Sequence, residues 1–111
     1  MTAFIQFKRV ARLSYGDAIA QEDQGHGEIP VFGSNGIFSS CERPNTHAPA
    51  IIVGRKGSFG KVNWSPAPCW ASDTTFFIDH RSASVDLRWL FYALQTLNLD
   101  GQSSETAIPG I

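Results

Sequence analysis

Strong net charge, a cysteine framework and long apolar runs are all missing from this chain. Nine Lys or Arg stand against ten Asp or Glu, a formal net charge of -1 in 111 residues. Such balance excludes a uniformly basic or acidic polymer, so any charged surface must be a local patch. Only two cysteines occur, Cys41 and Cys69. That is too few for a disulfide-stapled scaffold, and free thiols in a reducing compartment are the simplest expectation. No apolar stretch approaches the ~20 residues needed to cross a bilayer, so no membrane partner is expected. The N-terminus, MTAFIQFKRVARL, carries its charges after its apolar residues. A secretory signal has the reverse order, so the expected location is cytoplasmic. Compact zinc spacing is lacking too. Cys41, His47, Cys69 and His80 are not paired two to four residues apart as zinc ligands are. No metal and no cofactor are expected.

What is present is a capacity to fold. Eight Phe, three Trp and two Tyr argue against disorder. The length corresponds to one domain, residues 1–111, burying roughly 60–70% of its unfolded surface. FKRVARL (7–13) fits a short strand or an entry segment. Residues 16–28 begin like a helical turn and become a polar glycine loop. In IPVFGSNGIFSS (29–40), two apolar stretches flank Gly33-Ser34-Asn35-Gly36. Asn-Gly between β-prone runs predicts a hairpin, because both residues tolerate positive φ. CERPNTHAP (41–49) reads as a loop, AIIV (50–53) as a buried strand and KVNW as its return. SPAPCWAS (65–72) is too rich in proline for a central strand. DTTFFID (73–79) is β-prone. DLRWLFYALQTLNL then places Leu87, Leu90, Phe91, Leu94 and Leu97 at helical spacing, with Asp86 as N-cap. The tail carries Pro109 and reads as a loop. The expected fold class is α+β: a mostly antiparallel sheet with long loops, closed by one amphipathic C-terminal helix.

Charge is organised along the chain. Residues 1–12 hold Lys8, Arg9 and Arg12, and residues 13–39 hold Asp17, Glu22, Asp23 and Glu28. Residues 40–72 hold Arg43, Arg55, Lys56 and Lys61 against Glu42 alone. The last block contains IIVGRKGSFGKV (51–62), an apolar run that opens into a basic glycine loop. A mononucleotide loop would read G-x-x-x-x-G-K-[ST] before a helix. Here the glycine spacing is one residue too long, Val62 replaces the hydroxyl, and a strand follows. The loop better suits an external polyanion. Arg55, Lys56 and Lys61 can neutralise phosphates, and Arg55 and Lys56 can also read guanine edges. Ser58 and Asn63 can bond phosphate or base. Arg43 and Asn45 offer the same chemistry from the 41–49 loop, and Asn35 offers an amide at the hairpin tip. Each has a plainer reading: Asn35-Gly36 makes a turn, and Arg55-Lys56 is a solvated loop.

Other groups offer less. A Cys–His nucleophile would need Cys41 or Cys69 beside His26, His47 or His80, and nothing in the sequence brings them together. Trp64, Trp70 and Trp89 could stack on bases, but aromatics usually fill cores. Trp64 follows the basic loop and is the one singled out for nucleic-acid contact. No catalytic constellation is found.

The order of motifs carries further information. IPVFGSNGIF, PAIIVGRKGSFGKVNW, CWASDTTFFI, LRWLFYALQTLNL and SETAIPGI occur in succession. That succession resembles the target recognition domain of type I restriction–modification specificity subunits, from about Gly16 to the last residue. The resemblance implies a non-catalytic α/β domain that reads a short half-site of double-stranded DNA. It also implies two protein partners: a methyltransferase (modification) subunit and, through the full complex, a restriction subunit. Matching positions place Arg55, Lys56, Ser58 and Lys61 in the basic loop, Asn35 in the hairpin and Trp70 to Asp73 in a structural turn. Family subunits carry two such domains joined by long paired helices. This chain holds one domain and stops at Ile111, about where the first long helix would begin. The alternative expectation is therefore a stand-alone or truncated protein-interaction module that keeps the fold without reading DNA.

Overall fold

The computed structural model describes residues 10–56 and 60–96. In chain order the strands are β1 (Ser14–Tyr15), β2 (Ile29–Gly33), β3 (Gly36–Cys41), β4 (Ala50–Gly54), β5 (Val62–Ser65), β6 (Trp70–Ala71) and β7 (Thr75–Asp79). One α-helix follows among the described residues, α1 (Leu87–Thr96), with short 3₁₀ turns at Gln21–Asp23 and His80–Ser82.

Every residue of β4 and β7 is buried, and this follows from their position. The two strands pair antiparallel at the centre of a four-stranded sheet, order β1-β7-β4-β5. One face of that pair presents Ile51, Val53, Phe76 and Ile78, which pack with Ala11, Leu13 and the helix residues Leu87, Leu90 and Leu94. The opposite face presents Ala50, Ile52 and Phe77, which pack with Phe32, Cys69 and Ala71. Phe32 and Ala71 belong to a second sheet, order β3-β2-β6. The central strands thus lie between a helix and a sheet. Both of their faces are covered, so their sequences run apolar without alternation. Each large apolar side chain buried there contributes roughly 1.5–3 kcal/mol.

The expected elements are present, with differences that have physical reasons. Asp86 caps α1, its Oδ2 accepting from the Trp89 N–H at 2.9 Å. The hairpin forms as read. Gly33 pairs with Gly36, Ser34 and Asn35 make the turn, and Gly36 holds φ of 115°, a conformation glycine adopts without a Cβ clash. The proline-rich stretch supplies only the two-residue edge strand β6, parallel to β2. That is the one parallel pairing among the described strands, so strand pairing is mostly antiparallel as expected, but divided between two sheets where one was read. The helical start read at 16–28 reduces to the turn at Gln21–Asp23; its neighbours are too rich in glycine to propagate it. Ala11 bridges Ala83, while residues 1–9, Leu97 and the tail lie outside the described residues.

Candidate functional site

Two separate stretches of chain converge on the carbonyl of Thr74. It accepts from the Arg55 N–H at 2.9 Å and the Lys56 N–H at 3.2 Å, which anchors the basic loop as it leaves β4. It also lies 2.9 Å from the Ser34 hydroxyl at the hairpin turn. The same hydroxyl is hydrogen-bonded to the Lys56 carbonyl, so one proton serves two acceptors. Ser34 is buried and joins hairpin tip to basic loop. The loop closes on itself through Gly54 N–H to Lys61 O (2.8 Å) and Gly60 N–H to Gly54 O (2.9 Å). The turn beneath is fastened by Ser72, whose carbonyl accepts from the Thr75 N–H at 3.1 Å and its hydroxyl at 2.8 Å. The segment expected to turn, Trp70 to Asp73, divides: Trp70–Ala71 form β6, and the turn itself runs from Ser72 to Thr75.

On this scaffold the basic residues differ. Lys56 and Lys61 are exposed. Arg55 is half-buried: its Nη1 donates to the Asp73 carbonyl at 2.6 Å, and its guanidinium lies 5.0 Å from the Tyr15 ring centroid and 5.8 Å from that of Phe76. Its charge remains, but its geometry is held by the protein. Ser58 lies outside the described residues. Asn35 is exposed at the hairpin tip. Asn63 sits beneath it, with Oδ1 3.9 Å from where a Cβ on Gly36 would lie. Its Nδ2 is buried and has no hydrogen-bond partner among the described residues, an unsatisfied donor of the kind that calls for an explanation.

The remaining sequence candidates lie elsewhere. Asn45 clamps β6: its Nδ2 donates to the Ala71 carbonyl at 3.0 Å, and its Oδ1 accepts from the Ala71 N–H at 2.8 Å. Its amide is engaged within the fold. Trp64 faces the helix, with Phe91 5.5 Å away between ring centroids and the Arg88 guanidinium 4.3 Å above its ring. Strand alternation puts Trp64 and Asn63 on opposite faces of β5. Arg43 is exposed and lines a cavity of ≈ 310 Å³ with Glu22, Asp23 and Glu42. Three carboxylates make that cavity a poor host for a phosphate.

The titratable groups outside this site are structural in their contacts. Cys41 and Cys69 are free and buried. Burial raises the Cys69 thiol above its ordinary value despite hydrogen bonds from Thr46 and Ser65, which keeps it a poor nucleophile at neutral pH. His47 Nδ1 and His80 Nε2 lie 3.1 Å apart, yet the described residues hold no group of three or more metal-ligating side chains. Burial pushes the Asp79 carboxyl up. The Arg81 side chain and the N–H groups of His47 and Arg81 outweigh it and hold the pKa at about 2, against an ordinary 3.8. Sequence reasoning missed Ser34 and Thr74 as connectors. A serine in a turn and a backbone carbonyl carry no distinctive local signal.

No family model matches the chain. The chain is 25% identical over 83 residues to the specificity subunit of the type I restriction enzyme EcoprrI from Escherichia coli, covering 74% of this chain and 20% of that protein. Its fold matches the type I restriction–modification S subunit from M. genitalium with a TM-score of 0.70, at 20% identity over 81% of this chain and 25% of that one. It also matches the HsdS subunit from Thermoanaerobacter tengcongensis with a TM-score of 0.64, at 16% identity over 82% of this chain and 26% of the other. The chain therefore spans about a quarter or less of the length of each protein it matches. Among the described residues no helix is long and apolar enough to cross a membrane. In fold, and in a sequence match along most of its length, this chain resembles a target recognition domain of a type I restriction–modification specificity subunit.

Proposed function

We propose that the chain is a non-catalytic module that recognises a short sequence in double-stranded DNA. The observation that carries this reading is the junction at Thr74, where one buried serine holds the hairpin tip against the basic loop. Exposed Lys56 and Lys61 supply phosphate contacts, which position a duplex without reading it. Exposed Asn35 supplies an amide of the type that pairs with adenine edges, and Asn63 supports the tip from beneath. Arg55 adds charge while stiffening the loop that carries Lys56. Within a larger assembly, the module would direct a methyltransferase subunit and a restriction subunit to their site. Selection from a randomised duplex pool tests the reading: a defined short motif should be enriched over single-stranded competitor. Recovery of unselected sequence only would remove it.

A second reading rests on the helix. Trp89 is 58% exposed and Tyr92 54% exposed, both on α1, which suits protein contact. A protein partner captured equally well after nuclease treatment, with no duplex enrichment, would favour it.

A further inference from the structure

A β-strand with one buried face should hide every second side chain. β3 breaks that rule at its start. Its register against β2 runs from Val31↔Ser39 to Phe32↔Ile37, so Phe38 is an extra residue without a partner. This is a β-bulge, a device that re-aims side chains and collects beside functional sites. The result is two adjacent large apolar residues in the open, Ile37 at 62% exposure and Phe38 at 56%. Phe38 is seated over Gly33, where a Cβ would meet its ring at 3.2 Å. Both residues border a groove of ≈ 490 Å³ whose other walls include Ile19, Asn35 and Thr74. Asp73 is the one acidic residue lining it, and exposed Lys56 is tied to the same tip through Ser34.

We propose that Ile37 and Phe38 are specificity determinants that contact thymine methyl groups in the major groove. This rests on the DNA reading above and deepens it. A two-stranded ribbon fits the major groove, and there the C5-methyl distinguishes thymine by apolar contact alone. Lys56, tied to the tip through Ser34, favours a polyanionic occupant over an apolar protein face. A minor-groove wedge is disfavoured, because unstacking a base step requires compensating contact along a bent duplex. The cations at this junction are few.

The test uses the intact chain and the duplex it enriches from a randomised pool. Each thymine in that duplex is replaced in turn by deoxyuridine, which removes only the methyl. Wild-type binding should weaken about three- to fivefold at particular positions, the transfer free energy of one methyl group. Ile37→Ser or Phe38→Ser should abolish that sensitivity while retaining the salt dependence of binding, which reports the phosphate contacts. Unchanged thymine sensitivity in both variants overturns the proposal, as does indifference of the wild type to every methyl. Bending of the duplex that is lost with Phe38→Ser would overturn it in favour of a wedge. If the wild type enriches no duplex, the DNA reading itself fails and this inference falls with it.

Discussion

Replacing Asn45 with alanine separates a structural amide from a DNA-reading one. In the fold, Asn45 donates to the Ala71 carbonyl and accepts from the Ala71 N–H, at 3.0 and 2.8 Å. The carbonyl would keep a second donor, the Asp17 N–H at 3.0 Å. The N–H would lose the Asn45 acceptor at a position of zero exposure. A lost neutral hydrogen bond costs about 1 kcal/mol, and an orphaned buried donor costs about 1–3 kcal/mol. The sum is about 2–4 kcal/mol, enough to lower the melting temperature by roughly 10 °C or more in a domain of this size. Asn45→Asp keeps the acceptor for the N–H and loses the donor, so it should fall between. Thermal denaturation followed by circular dichroism measures both. Duplex binding of the folded variant well below its transition should keep the wild-type salt slope. A variant that melts like wild type but loses duplex affinity would refute the clamp and return Asn45 to the DNA face.

Three further outcomes are expected. Asp79 has a folded pKa of about 2, depressed below its ordinary 3.8, so its stabilising effect is complete above the unfolded value and disappears as pH falls from ~4 through 2. The stability gap between wild type and Asp79→Asn should be on the order of 2 kcal/mol at neutral pH and close over that window; a gap unchanged down to pH 2 contradicts it. Arg55→Ala should lose about 1 kcal/mol of stability through its carbonyl bond and ring contacts, whereas Lys56→Ala should melt as wild type does; equal melting of both would show Arg55 to be a free surface cation. Cys41 and Cys69 should resist a thiol reagent until the chain unfolds, and rapid native labelling of Cys69 would contradict its burial.

Local chemistry made much of the fold legible. Asn35-Gly36 announced the hairpin, the Ala50–Val53 run announced a buried strand, and Asp86 with the leucine spacing announced α1. Other features needed the third dimension. Nothing near Asn45 reveals that Ala71 will lie against it, because the two are joined only by tertiary packing of β6. The bulge at Phe38 is invisible to a period-two reading, which would have buried either Ile37 or Phe38. Arg55 and Lys56 look equivalent in sequence. They diverge because Tyr15 and Phe76 arrive beside Arg55 from β1 and β7. The basic loop was legible as a cationic site. Its union with the hairpin through Ser34 and Thr74 was not, since it depends on one hydroxyl and one carbonyl.

The dependence of duplex affinity on salt tests the proposed function most directly. Log affinity should fall linearly with log salt, at about 0.9 per phosphate contacted, and Lys56→Ala and Lys61→Ala should each reduce the slope by about 0.9. Binding that ignores salt, or that is undetectable at low salt, would contradict a duplex docked on these two lysines.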